Sequence, residues 1–185
     1  MELMDAIRQR RAVRQFEAEA VPDTVARKLI EAACWAPSAT NEQPWVFTVI
    51  TNQEVLRTIS EKSKLYMRQR SGLELPNRLA KQLADSGFQI FHGAPMLVVI
   101  STGNATAWAV EDCALAAENF MLAACNEGLG TCWIGLAQEW LGTPDGRNTL
   151  GLPPGCIVVA PIIVGHPRAL PEVVPRQKPQ INWLR

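Results

Sequence analysis

Apolar residues recur along this chain with two different periods. In residues 2–11, Leu3, Ala6 and Ile7 share one face of a short helix. Residues 13–16 break that period. Pro22 fits the first turn of a second helix reaching Cys34, with Val25, Leu29, Ala32 and Ala33 inward. Ala36-Pro37-Ser38 stops it, because a residue before proline is pushed out of the helical region. The 38–44 stretch is polar and predicts a loop. Trp-Val-Phe-Thr-Val-Ile-Thr at 45–51 predicts a strand bounded by Pro44 and Asn52. Helices are expected near 53–65 and 76–87. Residues 95–101 and 157–165 predict buried strands, and 131–135 a short one. The longest helical pattern covers 107–127, where Val110, Ala114, Ala117, Met121 and Ala124 recur at spacings of three and four. Other apolar residues fill its flanks, so this helix is expected to be central and buried on most sides. Gly128 ends it as a left-handed cap. From His166 the chain carries four prolines and reads as an extended arm over 166–185. Strands and helices mix without regular alternation and without repeats, which predicts a single α+β domain over 1–185.

Composition narrows the function classes. Of 185 residues, 48% are hydrophobic and 19% charged, which suits a globular chain. Eighteen basic and eighteen acidic residues cancel, so a nucleic-acid partner is disfavoured. The longest apolar runs fall well short of the roughly 18 residues that span a bilayer. The N-terminal residues carry no apolar export segment, so no membrane association and a cytoplasmic location are expected. The five cysteines form no C-x-x-C pair and read as reduced thiols. His92 and His166 lie far apart, so no metal site is expected.

Several common active sites are missing. There is no G-x-x-x-x-G-K-[ST] phosphate loop and no G-x-S-x-G nucleophile elbow. Gly128, Gly130 and Gly135 do not make a dinucleotide fingerprint, which needs a strand before its first glycine. No side-chain acid, base or nucleophile stands out.

Four other stretches carry candidate chemistry. Arg10, Arg11 and Arg14 put three guanidiniums within five residues. They suit either a solvated helix end or a phosphate clamp, since the guanidinium fork matches phosphate oxygens. Residues 36–45, Ala-Pro-Ser-Ala-Thr-Asn-Glu-Gln-Pro-Trp, suit a plain connecting loop. Asn41 and Gln43 also carry the donors and acceptors that would read a heterocycle edge. Residues 128–135, Gly-Leu-Gly-Thr-Cys-Trp-Ile-Gly, combine a cap with glycines that let backbone approach a flat ligand. Arg168, Arg176 and Lys178 add late cations in the arm.

Together these stretches resemble the flavin-dependent nitroreductase family. The shared features are R-R-[SA]-x-R-x-F at 10–16, A-P-S-x-x-N-x-Q-P-W at 36–45, G-L-G-x-x-W-I-G at 128–135, and a late G-[YH]-P at 165–167 followed by a basic, proline-containing tail. The match is poor over 62–92. The resemblance implies a mostly antiparallel sheet flanked by helices, and a homodimer with FMN at its interface. It implies that Arg10 and Arg11 meet the phosphate or ribityl chain and that Arg14 faces the N1 and C2 edge of the flavin. Pro37, Ser38, Ala39, Asn41 and Gln43 would come from the second chain. Cys132, Trp133, Ile134 and Gly135 would lie along the ring near N5, largely through backbone, and Arg176 and Lys178 would close on the phosphate. Ala12, also in the cofactor set, replaces the more usual serine and removes a hydroxyl. The implied activity is FMN-dependent, ping-pong reduction of small conjugated acceptors, nitroaromatics or quinones, by NADH or NADPH. Other flavin chemistry, or flavin binding without turnover, are the rival readings. Acceptor choice is expected in the poorly matching 62–92 segment, where Tyr66, Met67 and Phe88 offer aromatic and flexible side chains.

Overall fold

The computed structural model describes residues 1–70, 76–103 and 106–185. Strands β1 (Trp45–Ile50), β2 (Met96–Thr102), β3 (Gly130–Trp133) and β4 (Val158–Gly165) form one antiparallel sheet in the order β1-β2-β4-β3. β2 and β4 read as continuous apolar runs because both faces of the sheet are covered. Leu97, Val99 and Ile163 face a layer that contains α3 (Gln53–Gln69), α6 (Gly135–Leu141) and α7 (Pro144–Leu150), with α4 (Asn77–Ala84) at its margin. Met96, Val98, Ile100 and Ile162 face α2 (Asp23–Cys34) and α5 (Ala109–Asn126). Ile100 pairs with Ala160 but Ser101 with Val158, so Val159 is an extra residue in a one-residue bulge. Pro161 sits inside β4 at no cost to the ladder. Its carbonyl accepts from Ile134 N–H, so its missing N–H faces the same side, where β3 has already ended.

The α+β class, the four strands and five of the helices match the reading of the sequence. Several details do not. α1 (Leu3–Gln9) stops before Arg10 and buries only Ala6; Leu3 and Ile7 are exposed. The inner face of α2 is Ala26, Leu29 and Ala33, with Val25 and Ala32 at its margin. On α5 the buried stripe includes Cys113, Ala116 and Phe120; Val110 is exposed and Ala114 half-buried. That helix is apolar around so much of its circumference that spacing alone misplaces the stripe. α6 and α7 were not expected: each has seven residues, too few to show a 3.6-residue period. Gly128 does end α5, with φ +74°, in a Schellman motif in which Leu129 N–H donates to Ala124 O and Gly128 N–H to Cys125 O.

Residues 12–17 form a strap along the outer edge of the sheet. Ala12 bridges Thr131 in parallel, Val13 N–H donates to Thr131 O at 2.9 Å, and Glu17 N–H donates to His166 O at 2.9 Å. Gly130 and Gly165 are cross-strand partners, and at each a side chain would collide with a close neighbour. A Cβ on Gly130 would meet Val13 Cγ2 at 2.7 Å and Cβ at 2.8 Å; on Gly165 it would meet Pro95 Cδ at 2.6 Å and Phe16 Cδ1 at 2.9 Å. The β-branched Val13 cannot swing away without moving the strap. Beyond Pro167 the chain makes no helix or strand.

Gly130→Ala is expected to lower stability by about 1–3 kcal/mol through overpacking against Val13. A thermal melt checks this. Val13→Ala in the same chain should restore part of the loss, because it removes the atoms that clash.

Candidate functional site

The strap begins where α1 ends. Arg10 leaves the helical region with ψ 127°, and its Nε lies 3.3 Å from Glu118 Oε1 on α5. The Arg11 guanidinium donates to the carbonyls of Arg8 and Arg10. The Arg11 Nε is buried without a hydrogen-bond partner, and the Arg10 Nε is buried with only its ion pair to Glu118. Arg14 is exposed and lies within electrostatic reach of Cys132 and His92. Burial pushes the Cys132 thiol up while Arg14 pulls it back. Burial and then Arg14 both hold the His92 imidazolium below its ordinary range. A cavity of about 360 Å³ is lined by Ala12, Arg14 and Gln15 together with Ala169, Leu170 and Pro171 at the base of the arm. The strap thus brings Ala12 and Arg14 beside Thr131 and Cys132 of the same chain, while Arg10 and Arg11 stand near Cys125 at the end of α5. Cys132 and Ile134 turn their side chains into the core, so any ligand here meets their backbone.

The 38–43 loop lies elsewhere. It is held by Ser38 Oγ, which accepts from Gln43 N–H at 3.0 Å, and by Gln43 Nε2, which donates to Asn41 Oδ1 at 3.2 Å. Thr40, Asn41 and Gln43 are left-handed, with φ of 50°, 59° and 48°. For Thr and Gln that conformation costs about 1–3 kcal/mol each. The amides of Asn41 and Gln43 are exposed, and Pro37 is exposed beside them.

Loop and strap sit at diagonal corners of the sheet. The loop leads into Trp45, which pairs with Thr102, next to the Ser101–Val158 pair at the start of β4. The strap lies on Thr131, which pairs with Val164 near the end of β4. β1 and β3 are the outer strands, three strand spacings or about 14 Å apart, and the offset along the strands adds about 20 Å. One chain therefore does not bring its own loop to its own strap.

The expected acceptor residues divide. Tyr66 is half-buried and lines a cavity of about 510 Å³ with Gly135, Gln138 and Glu139; Arg70 pairs with that Glu139 across its rim. Phe88 is half-buried and meets His92 edge-on, with centroids 5.7 Å apart and planes at 73°. Its carbonyl accepts from the buried Lys64 ammonium at 2.7 Å. Met67 is buried in the core beneath α3, which removes it from any open site. Residues 71–75 of the 62–92 segment lie outside the described residues. Arg176 and Lys178 are exposed in the arm. Two residues of interest escaped the sequence reading. His92, set aside there as a metal ligand, stands beside Phe88 and within electrostatic reach of Arg14. Asp112 is 4% exposed, and it accepts from Ala39 N–H at 3.1 Å. In the sequence it is one more acid in a helix's first turn.

Fold and site together describe an α+β protein with cationic and amide-bearing edges suited to a flat ligand with an anionic tail. The profile of the nitroreductase family matches residues 7–166, and the chain belongs to that family. Among solved structures, a nitroreductase with bound FMN from Bacteroides fragilis superposes with a TM-score of 0.87 over 100% of both chains at 26% identity. Among curated relatives, the iodotyrosine deiodinase of Hydra vulgaris is 33% identical over 49% of this chain and 35% of its own. An NADH dehydrogenase of Thermus thermophilus is 38% identical over 28% of this chain and 25% of its own. The chain thus spans about a third or less of the length of these curated relatives. Among the described residues no helix is long and apolar enough to cross a membrane.

His92 gives the site a testable pH signature. Its folded value lies below its ordinary 6.5, so the unfolded chain takes up the proton first as pH falls. Stability should therefore drop as pH falls through about 6.5 and level off below the folded value. His92→Asn, which tolerates the left-handed φ of 53°, should flatten that part of the profile of melting temperature against pH.

Proposed function

We propose that this chain is a cytoplasmic FMN-dependent oxidoreductase that takes hydride from NADH or NADPH and reduces small conjugated acceptors such as nitroaromatics or quinones. Residues 1–185 serve as one FMN-binding unit, with 166–185 as its arm, and two copies form each pair of sites. The observation that carries this reading is the diagonal placement of strap and loop. Two motifs that suit one flavin lie too far apart in one chain and would meet across a two-fold interface. Exposed apolar side chains support the second copy: Leu3, Met4 and Ile7 on α1, Val110 and Leu115 on α5, and Trp35, Trp108 and Trp183. The family and the FMN named for the Bacteroides fragilis structure support the cofactor.

The residues present fit FMN. Arg11 keeps a buried Nε donor without a partner, and Arg10, ion-paired through its Nε with Glu118, adds a second guanidinium; both suit a phosphate or the ribityl chain. Arg14 presents a fixed cation for the N1 and C2 edge. Pro37, Ser38, Ala39, Asn41 and Gln43 of the second copy present the amide edge and small surface that a ring system needs. Backbone from Cys132 to Gly135 would lie along the ring near N5. Arg176 and Lys178 would add charge to the phosphate from the arm. When bound, FMN supplies the hydride chemistry. The protein orients it and places positive charge where negative charge develops. Donor and acceptor would use one open face in turn, a ping-pong order. Tyr66 and Phe88 are the acceptor-side residues of this proposal; the buried Met67 is not.

An absorbance spectrum, followed by anaerobic titration with NADH and NADPH, tests the reading directly. A protein that cannot be reconstituted with FMN would sink it. One that binds FMN but turns over no faster than free FMN would favour flavin storage. Arg14→Ala is expected to weaken FMN binding by about 1.5–3 kcal/mol and to make the bound flavin harder to reduce. Equal affinity and equal reduction potential would refute its role. A heterodimer joining Arg10→Ala/Arg14→Ala with Asn41→Ala/Gln43→Ala should concentrate both lesions in one site. It should hold about half the flavin of wild type by two-fold symmetry. A heterodimer with no flavin would place each site within one chain.

A further inference from the structure

The bonds inside the 38–43 loop do not explain why it is held where it is. Ser38 Oγ to Gln43 N–H and Gln43 Nε2 to Asn41 Oδ1 are both local. The loop is tied to the rest of the chain by Ala39 N–H, which donates to Asp112 Oδ1 at 3.1 Å across 73 residues of sequence. Ala39 opens the short 3-10 turn Ala39–Asn41, so this bond fixes the start of the left-handed run at Thr40 and Asn41. Asp112 lies in the first turn of α5 and is buried. Its second oxygen, Oδ2, is buried with no hydrogen-bond partner. A buried carboxylate with so little compensation is a costly choice. The start of α5 favours negative charge, and Glu111 already supplies an exposed one there. What a carboxylate at Asp112 adds is an inward acceptor of fixed position for the Ala39 amide.

We propose that Asp112 is a positioning residue: through Ala39 it holds the 38–43 loop in the left-handed shape that presents Asn41 and Gln43 to the flavin ring. This rests on reading that loop as part of the FMN site. Asp112 touches neither cofactor nor substrate. It removes the loop's freedom before binding, so the ligand need not order it.

The test compares wild type with Asp112→Ala and Asp112→Asn. FMN and riboflavin affinities are measured by quenching of flavin fluorescence, and Ala39 amide protection by hydrogen exchange. Asp112→Ala should weaken both flavins by the same factor, about ten- to a hundredfold, as expected for losing a hydrogen bond to a charged group. The factor should be common because the loop serves the ring and not the phosphate. Asp112→Asn keeps a carbonyl oxygen and should recover most of the affinity and of the Ala39 protection. If Asp112→Ala does not fold, Ala39→Pro removes the same donor without touching α5. It suits the extended backbone of Ser38 (φ −139°, ψ 152°) and should give the same loss for both flavins. Unchanged affinities in these variants would overturn the proposal. So would a loss confined to FMN, or an asparagine variant as weak as the alanine one. A wild-type protein that binds neither flavin would sink the FMN reading. Even then, Ala39 protection that survives in Asp112→Ala would overturn the hold on the loop, and its loss would support it.

Discussion

The close approach of the strap to the sheet edge is the constraint on which the candidate site depends. Gly130 and Gly165 face each other across β3 and β4, and neither leaves room for a side chain beneath Val13 and Phe16. Because both positions are bare, residues 12–17 can lie down, donate Val13 N–H to Thr131 and lock onto His166. The three arginines then follow from register. α1 must end at Gln9 for the strap to turn, and the turn leaves Arg14 exposed beyond the end of the ladder. Moving the strap outward by an ångström would move that cation with it. The cation is thus positioned by backbone packing, and its own side chain needs few contacts.

The same economy holds at the opposite corner. The amides of Asn41 and Gln43 are displayed by a loop bent through left-handed residues that are not glycine, a conformation that persists only when its surroundings impose it. Ser38 imposes it from within and Asp112 from beneath. Both corners are therefore stiff before any ligand arrives, which lowers the entropy cost of binding.

Much of this was legible in the sequence, for identifiable reasons. β2 and β4 announced themselves as apolar runs because a strand covered on both faces needs no polar positions. The 36–45 and 128–135 stretches stood out because unusual backbone demands unusual residues. Ser, Asn and Pro shape the loop, and glycine shapes the cap and the strap's seat. α6 and α7 stayed hidden because two helical turns carry no period. The stripe of α5 was rotated because alanine on every side gives spacing nothing to grip. Met67 read as a site residue because flexible apolar side chains suit pockets and cores equally, and only burial separates the two. His92 and Asp112 were missed because each acts with a partner distant in sequence, His92 within the field of Arg14 and Asp112 through its bond from Ala39.

The electrostatics carry the argument to assembly. Arg14 alone is exposed, and in water its field is screened within about 10 Å at ordinary salt and weakened by the high dielectric. A cation so placed acts on Cys132 and His92 beside it but loses most of its reach on the solvent side. In the two-chain site proposed above, the partner's loop and the ring itself would cover it, and the same charge would act through a much lower effective dielectric. The apolar faces of α1 and α5 would be covered in the same step. On that view the chain folds its arginines into position first, and dimerisation removes the water that makes them weak. The exposed apolar residues and the exposed cation are then two halves of one device: the first drive the association that gives the second its strength.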